Sequence, residues 1–202
     1  MVLGSHNAWT FLRPKKWWMR LLAFTARCQR YDIFNQCLVY NSRCFDLRVR
    51  FNDDYTPVVA HGIIEYDIDK KKLLDTLDWL NDFSTKEHPV YIRVINEIRS
   101  YRNYRTEEVE KFVEFCQYIE ARFTRLVFFC GMNLLPEPSI DYDFHTSVTC
   151  EELYASVRKP RILDDWWPWW YARFHNKKNI EKGTNQQVLL IDFVDIGQKS
   201  HE

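Results

Sequence analysis

Five charged or titratable side chains interrupt or end apolar, strand-like runs of this sequence. They are His6 after VLGS, Asp46 and Arg48 in CFDLRV, His61 after PVVA and Asp192 in VLLIDFV. Two histidines, two carboxylates and an arginine are the groups that phosphodiester cleavage without a metal requires. One histidine removes a proton from the attacking hydroxyl and the other protonates the leaving oxygen. The arginine binds the phosphoryl oxygens, and a carboxylate orients a histidine.

Each of these residues also has a purely structural interpretation. A single histidine after a strand is usually a satisfied structural residue, and Asp-x-Arg on one strand face is often an ion pair. Spacing alone therefore leaves a catalytic and a structural interpretation open.

The elements that must position these residues alternate between strands and helices. Apolar spacing predicts helices over 69–83 and 107–123, and a Thr-x-x-Glu capping box predicts another over 149–157. Alternation of this kind favours parallel βα units with both sheet faces covered. We therefore expect an α/β fold, a small or incomplete (β/α) TIM-like barrel, and one domain over 1–202. Strands are predicted near 2–3 and over 44–49, 57–64, 89–95, 125–130 and 187–194.

Three motifs resemble one known family. GSHNAWT (4–10), RCFDLRVR (43–50) and VVAHG (58–62) occur in this order, and IDFV (191–194) follows near the end. Together they resemble the X domain of phosphatidylinositol-specific phospholipase C (PI-PLC), and more closely its metal-independent bacterial branch. The similarity covers roughly residues 4–97 and 187–194.

The resemblance implies a role for each motif residue. His6 would be the general base that acts on the inositol 2-hydroxyl, and Asp192 would orient it. His61 would be the general acid for the glycerol oxygen, Arg48 would bind phosphate, and Asp46 is the acidic residue two before it. The implied reaction gives a 1,2-cyclic phosphate and diacylglycerol, so the implied partner is a phospholipid head group or another phosphodiester.

Two positions bear on the cofactor. Asn7 stands where the bacterial enzymes have aspartate as a partner of the second histidine, and asparagine there is typical of the calcium-dependent branch. That branch needs acidic ligands where this chain has Arg48 and Ile95. We therefore expect no metal and no cofactor, with calcium as the alternative.

The head-group pocket is less clearly marked. Asn7, Arg93, Glu97 and Tyr142 are candidate substrate-binding residues, and Arg93 with Glu97 could equally form an ordinary structural pair. No inositol-recognising arginine is evident after the strand at 125–130. The head group could therefore differ from plain phosphatidylinositol.

Composition narrows the partners. The chain has 28 Lys+Arg and 28 Asp+Glu, which argues against a nucleic-acid binder. Only 5 glycines leave little room for a glycine-rich phosphate loop, and the 6 cysteines lack metal-ligand spacing, so we expect them to be reduced. No apolar run is long enough for a membrane span and the start lacks the order of a secretory signal, so the default expectation is cytoplasmic.

Basic residues and tryptophans coincide in two segments. Residues 1–31 carry 6 basic groups and no acid, and 166–180 carry 3 and no acid, so the rest of the chain is acidic. Tryptophan and lysine favour an anionic lipid surface, but the same rings could cap the core or bind a protein. The candidate membrane-interface residues are Lys15, Lys16, Trp17, Trp18, Trp169 and Trp170.

Three functions follow as hypotheses. The first is a phosphodiesterase of the PI-PLC X type with His/His acid–base catalysis. The second is a weak or inactive PLC-like domain that binds lipid or protein. The third is a related barrel phosphodiesterase that uses a metal, such as a glycerophosphodiesterase.

Overall fold

A sheet of parallel strands forms the framework of the protein. The computed structural model describes residues 2–52, 54, 56–97, 106–130, 144, 151–152, 167–182 and 188–197. Six parallel strands lie in the order β7-β8-β1-β2-β5-β6. The strands are β1 (Val2–Ser5), β2 (Cys44–Phe51), β3 (Pro57–His61), β4 (Ile64–Glu65), β5 (Val90–Asn96), β6 (Leu126–Cys130), β7 (Glu151–Glu152) and β8 (Val188–Ile191).

Strands β3 and β4 depart from the predicted parallel arrangement. β3 runs antiparallel to the end of β2, and β4 runs antiparallel to β3. The connection over 52–56 is too short for the crossover that a parallel pair needs. Residues 57–64, predicted as one strand, are divided by Gly62, whose positive φ of 56° makes the turn.

Helices cover the outer face of the sheet. Asp69 caps α3 by accepting from the Lys72 amide at 2.8 Å, and Leu73, Leu77 and Leu80 are the buried stripe predicted from the sequence. Two short 3-10 helices lie over Ala8–Phe11 and Ala23–Thr25. The α-helices are α1 (Met19–Leu22), α2 (Ile33–Leu38), α3 (Lys70–Phe83), α4 (Thr106–Arg122) and α5 (Pro168–Lys182).

Side chains alternate along the strands, so the two faces of the sheet have different surroundings. On β2, Phe45, Leu47 and Val49 belong to the large core beneath the helices. Cys44 lies on the opposite, inner face with Leu190 of β8. Because side chains alternate, Asp46 and Arg48 share this inner face with Cys44. Apolar residues fill one end of the inner face, and polar residues occupy the end where the parallel strands finish.

Gly4 lets the strands approach at the centre of this sheet. A Cβ atom there would lie 2.5 Å from the Leu190 side chain and 2.9 Å from Cys44 Cβ. A larger residue would push β1 away from β8 and β2. Gly4 therefore helps to set the position of His6, two residues later on the same face.

The predicted helix over 149–157 is wrong where the structure describes it. Glu151 and Glu152 form β7, which pairs with Leu189 and Leu190 of β8. The capping-box pattern is local, whereas the ladder is formed with residues almost forty positions away. The predicted incomplete α/β barrel is confirmed, because the sheet does not close between β6 and β7 within the described residues.

The described cysteines and helices bear on two further expectations. Cys28, Cys37, Cys44, Cys116 and Cys130 are all free, in keeping with the predicted reduced state. No helix in the described part of the chain has both the length and the apolar character needed to cross a membrane.

Candidate active site

His6 and Asp192 meet because β1 and β8 are parallel neighbours that end at the same edge. The His6 amide donates to the Ile191 carbonyl at 3.0 Å, which continues the ladder past the end of β1. The His6 Nδ1 lies 2.7 Å from Asp192 Oδ1, and both side chains are buried. An ionised carboxylate can only accept, so Nδ1 carries the proton of this hydrogen bond.

Arg48 completes the surroundings of His6. Its Nε donates to Asp46 Oδ2 at 3.1 Å, and its Nη2 lies 2.6 Å from His6 Nε2. A guanidinium has no acceptor, so Nε2 must be the acceptor. His6 is therefore the neutral tautomer with its proton on Nδ1 and a lone pair on Nε2, the form that a general base requires.

Asp46 is the buried anion at the centre of the cluster. Its Oδ1 lies 3.6 Å from Nη1 of Arg93, the residue that is its register partner on β5. Its Oδ2 accepts a hydrogen bond from the Asn7 amide at 3.0 Å. Burial raises the pKa of Asp46, but the charges of Arg48 and Arg93 and the Asn7 hydrogen bond together hold it well below its ordinary range. Asp46 is therefore ionised at neutral pH and orients Arg48.

His61 faces His6 from the end of β3. The two imidazole centroids are 6.2 Å apart at an interplanar angle of 85°. His61 Nδ1 donates to the Ala26 carbonyl at 2.9 Å, which leaves Nε2 to exchange a proton with a ligand. Burial and the Arg48 charge lower the pKa of His61, and the charge of Glu97 and the Ala26 hydrogen bond oppose them only in part.

Glu97 links the two histidine sides. Its carboxylate accepts from Arg48 Nη1 at 3.4 Å and from the Gly62 amide at 2.6 Å. Arg50, which the sequence analysis did not single out, donates to the Glu97 carbonyl at 2.9 Å and to the Gly62 carbonyl. Arg50 also pairs with Glu65 at 3.5 Å, so it anchors the turn that carries His61. Arg50 lies two residues after Arg48 on the same face of β2, and this spacing is the sequence signal that could have identified it.

The sequence assigned no role to three other residues near the site, Thr10, Cys28 and Gln29. Gln29 Nε2 donates to the His6 and Ile191 carbonyls, both at 3.0 Å, and so joins the ends of β1 and β8. Thr10 Oγ1 accepts from the Cys28 and Gln29 amides at 2.9 and 3.0 Å. Cys28 Sγ lies 3.8 Å from His61 Nδ1 and 3.6 Å from Asn7 Nδ2.

The remaining substrate-binding candidates differ in where they lie relative to the histidines and in how deeply they are buried. Asn7 lies directly after His6 with a left-handed φ of 46°, and its side-chain nitrogen is 3.1 Å from His6 Nε2. Arg93 is buried beneath Asp46. Glu97 is half-buried beside Arg48. Tyr142 lies outside the described residues.

Among the described residues, one group of side chains could hold a metal ion. Ligand atoms of His6, Cys28 and Asp192 all lie within 4.8 Å of one another. A nitrogen, sulfur and oxygen set suits a zinc-like ion, whereas calcium prefers oxygen ligands throughout. Ile95, the register partner of Arg48, is buried and offers no such oxygen from its side chain. Calcium therefore fits these residues poorly.

The two tryptophan-rich segments come together at the surface. Trp17 is 72% exposed and Trp18 39%, beside the exposed Lys15 and Lys16. Phe24 and Trp167 make an edge contact at 6.2 Å, which joins the first segment to the second. Trp169 and Trp170 are half-buried on α5.

One similar solved structure supports the fold, and others match it less well. PI-PLC from Listeria monocytogenes matches with a TM-score of 0.59 and 12% identity, covering 95% of this chain and 87% of that one. A double mutant of PI-PLC from Staphylococcus aureus has a TM-score of 0.47 and 20% identity, covering 64% of this chain and 46% of that one. The chain thus spans about half the length of the Staphylococcus structures.

Sequence comparisons add no family. No family model matches the chain, and no curated protein matches it. At 12% identity the Listeria structure shows only the architecture. The chain is therefore similar in fold to bacterial PI-PLC, as an incomplete barrel of parallel strands with helices outside.

Proposed function

We propose that this chain is a metal-independent phosphodiesterase that cleaves an inositol phospholipid, or a related phosphodiester, through a cyclic phosphate. The observation that supports this most strongly is the state of His6. Its Nδ1 proton is held by Asp192 at 2.7 Å, and its Nε2 lone pair lies beside the phosphate-binding group Arg48 at 2.6 Å. A base beside an anion-binding group, with a second histidine opposite, suits phosphoryl transfer to an internal hydroxyl.

The reaction would proceed by internal attack. His6 Nε2 removes the proton from the hydroxyl adjacent to the phosphate, and that oxygen forms a new bond to phosphorus. The bond from phosphorus to the departing alcohol oxygen breaks, and His61 supplies the proton to that oxygen. Arg48 Nη2 transfers its hydrogen bond from His6 to the phosphoryl oxygens, where negative charge accumulates. Asp46, which pairs with Arg48 at 3.1 Å, orients the guanidinium.

The substrate class rests on the family resemblance and on the polar groups at the site. Glu97 and Asn7 could contact sugar hydroxyls, because both lie next to the reactive residues. A panel of lipids would define the head group. Phosphatidylinositol, phosphatidylglycerol and phosphatidylcholine differ in whether a hydroxyl is placed for internal attack, so only the first two can yield a cyclic product.

The test is product analysis of wild type and histidine variants in the presence of a chelator. Wild type should release a cyclic phosphate from phosphatidylinositol, detected by phosphorus NMR. His6→Ala and His61→Ala should each lower the rate by roughly 10²–10⁴-fold. His88→Ala is a matched control, since His88 is exposed on a loop after α3. Full activity in either site variant would contradict the mechanism, and loss of wild-type activity in the chelator would favour a metal-dependent phosphodiesterase.

A second candidate is a weak or inactive domain that binds a membrane peripherally. The exposed Trp17, Leu21 and Phe24 favour it, since they lie beside Lys16 and Arg20. This candidate predicts no turnover, and vesicle binding that is lost in Trp17→Ala/Trp18→Ala. Vesicle sedimentation measures the binding. Catalytic turnover on phosphatidylinositol would exclude the inactive form.

A further inference from the structure

A basic cavity lies outside the histidine site. Its volume is about 500 Å³, and it lies between the segment over 13–30 and the start of α5. Four arginines line it: Arg13, Arg20, Arg27 and Arg30. Four guanidinium groups around one cavity repel one another, so the arrangement favours an anionic occupant.

The positive charge is poorly compensated in the described part of the chain. Arg30 Nη1 lies 3.5 Å from Asp195 Oδ2. No described carboxylate lies within ion-pair distance of Arg13, Arg20 or Arg27. Guanidinium groups bind phosphate oxygens through paired, parallel hydrogen bonds, and they do so more favourably than a point charge would.

Aromatic side chains form another wall. Phe24, Trp167 and Trp169 line the cavity. Phe24 is 55% exposed and packs edge-on against Trp167, whose centroid is 5.7 Å from that of Trp169. Exposed aromatic surface beside arginine favours a ligand with an apolar or aromatic portion next to its anionic group.

The cavity and the histidine site share a wall but no catalytic side chain. Neither His6, His61, Arg48 nor Asp192 lines the cavity. The wall is the segment around Ala26, whose carbonyl accepts from His61, while the next residue, Arg27, lines the cavity. Phe193, which follows Asp192, also lines the cavity, and its amide donates to the Cys28 carbonyl at 2.6 Å.

We infer that this arginine cavity is a separate binding site for a phosphate-bearing anion with an adjoining apolar portion. The arginines bind the phosphate and the aromatic wall contacts the apolar portion. The ligand could be a free phosphate ester or the head group of an anionic lipid in a membrane, since both present the same chemistry. The inference does not depend on the proposed phosphodiesterase activity.

The first experiment uses the full chain and soluble probes. Phenyl phosphate and inorganic phosphate are titrated by calorimetry, with tryptophan emission as a second readout. Wild type should bind phenyl phosphate roughly 2- to 10-fold more tightly than inorganic phosphate, because only the former reaches the aromatic wall. Binding should weaken with added salt, since the arginines are exposed.

Charge-removal variants locate the site. Arg20→Ala/Arg27→Ala should weaken phenyl phosphate binding roughly tenfold or more. Lys72→Ala/Lys86→Ala removes the same charge at exposed positions that do not line the cavity, and it should bind as wild type does. Circular dichroism and thermal unfolding verify that each variant folds. Equal affinity in the arginine variant and wild type would overturn the inference, as would a lack of binding to both probes.

Two further experiments distinguish a free phosphate ester from a lipid head group as the ligand, and the arginine cavity from the histidine site. Sedimentation with phosphatidylcholine vesicles, with and without phosphatidic acid, tests the lipid form of the ligand. Binding that needs phosphatidic acid and is lost in Arg20→Ala/Arg27→Ala supports a lipid source, and vesicle binding unaffected by the arginine variant argues against it. His6→Ala/His61→Ala should retain phenyl phosphate binding, whereas loss of that binding would place the probe in the histidine site and overturn the inference.

Discussion

The two histidine sides of the candidate site are built very differently. His6 is buried, with a carboxylate on Nδ1 at 2.7 Å and a guanidinium on Nε2 at 2.6 Å. His61 is half-buried, and its Nδ1 contacts a backbone carbonyl at 2.9 Å and a thiol at 3.8 Å. No described carboxylate lies within hydrogen-bonding distance of His61.

Under the proposed mechanism, this difference indicates which of the two proton transfers is prepared before substrate binds. Hydrogen bonds to both nitrogens keep His6 in the tautomer and orientation of a base. The protonated form of His61 lacks an ionic partner in direct contact, and burial together with Arg48 lowers the pKa of this histidine. The negative charge of a bound phosphodiester would favour the protonated form, so we expect substrate to complete the acid side.

Disrupting the hydrogen bond between His6 and Asp192 should have the largest effect on activity. Asp192→Asn preserves shape but replaces the acceptor for the Nδ1 proton with a group that can present a donor. The tautomer would then be free to change, and kcat/KM should fall by roughly 10²–10⁴-fold. Steady-state kinetics measures this, with Asp82→Asn on the exposed end of α3 as the control. Wild-type kinetics in Asp192→Asn would show that the His6 side is not prepared in the manner described.

Removing the buried anion beneath His6 should be the next largest effect. Asp46→Asn removes the buried carboxylate that pairs with Arg48 and Arg93, while Arg48 keeps its pair with Glu97, so the free energy of unfolding should fall by about 3–5 kcal/mol. Urea denaturation at neutral pH measures this loss, and Thr76→Ala on α3 is a control in a half-buried position.

The same substitution has a pH signature. Because the folded-state pKa of Asp46 is depressed, its contribution to stability is present above the ordinary value of 3.8 and is lost as pH falls from there toward the folded value. Asp46→Asn should therefore lose more stability at neutral pH than in strong acid. An equal loss at both pH values would contradict an ionised Asp46.

Adding a carboxylate near His61, the proposed acid, should reduce the difference between the two histidine sides. Asn7→Asp would place a negative charge beside His6 Nε2 and next to Cys28, which itself contacts His61. The pKa of His61 should rise, so we expect a gain of roughly tenfold in kcat/KM on the basic side of the pH profile. Asn41→Asp is the matched control, since Asn41 is exposed and also has a positive φ, 51°. A fall in activity without a shift of the profile would show that Asn7 serves the base and not the acid.

The smallest expected effect concerns the pH at which wild-type kcat/KM begins to fall. A general acid must be protonated, and the pKa of His61 is lowered from its ordinary 6.5 by burial and Arg48 against the opposing charge of Glu97. The basic limb of kcat/KM should therefore lie on the acid side of 6.5, and activity should fall as pH rises through it. Initial rates across pH in buffers of constant ionic strength measure the limb, and a limb well above 6.5 would contradict the assignment of His61.

Local sequence pattern predicted much of the site. Apolar alternation ends at His6 and His61, and the same alternation places Asp46 and Arg48 on one face. The roles of Arg50 and Gln29 were missed because both act through carbonyls of other segments, which no local pattern reveals. The single domain over 1–202 and the role of Tyr142 stay predictions.

By itself, the sequence determined which side chains end the strands and which face each one shares, because side-chain alternation depends only on neighbouring residues. Only the tertiary structure decided that Asp192 reaches Nδ1 of His6 and Arg48 reaches Nε2. Those contacts depend on which strands pair, since residues 6, 48 and 192 belong to three different strand ends. The packing of β1 between β8 and β2 thus brings strand-end residues together around a histidine whose proton is held on one defined nitrogen.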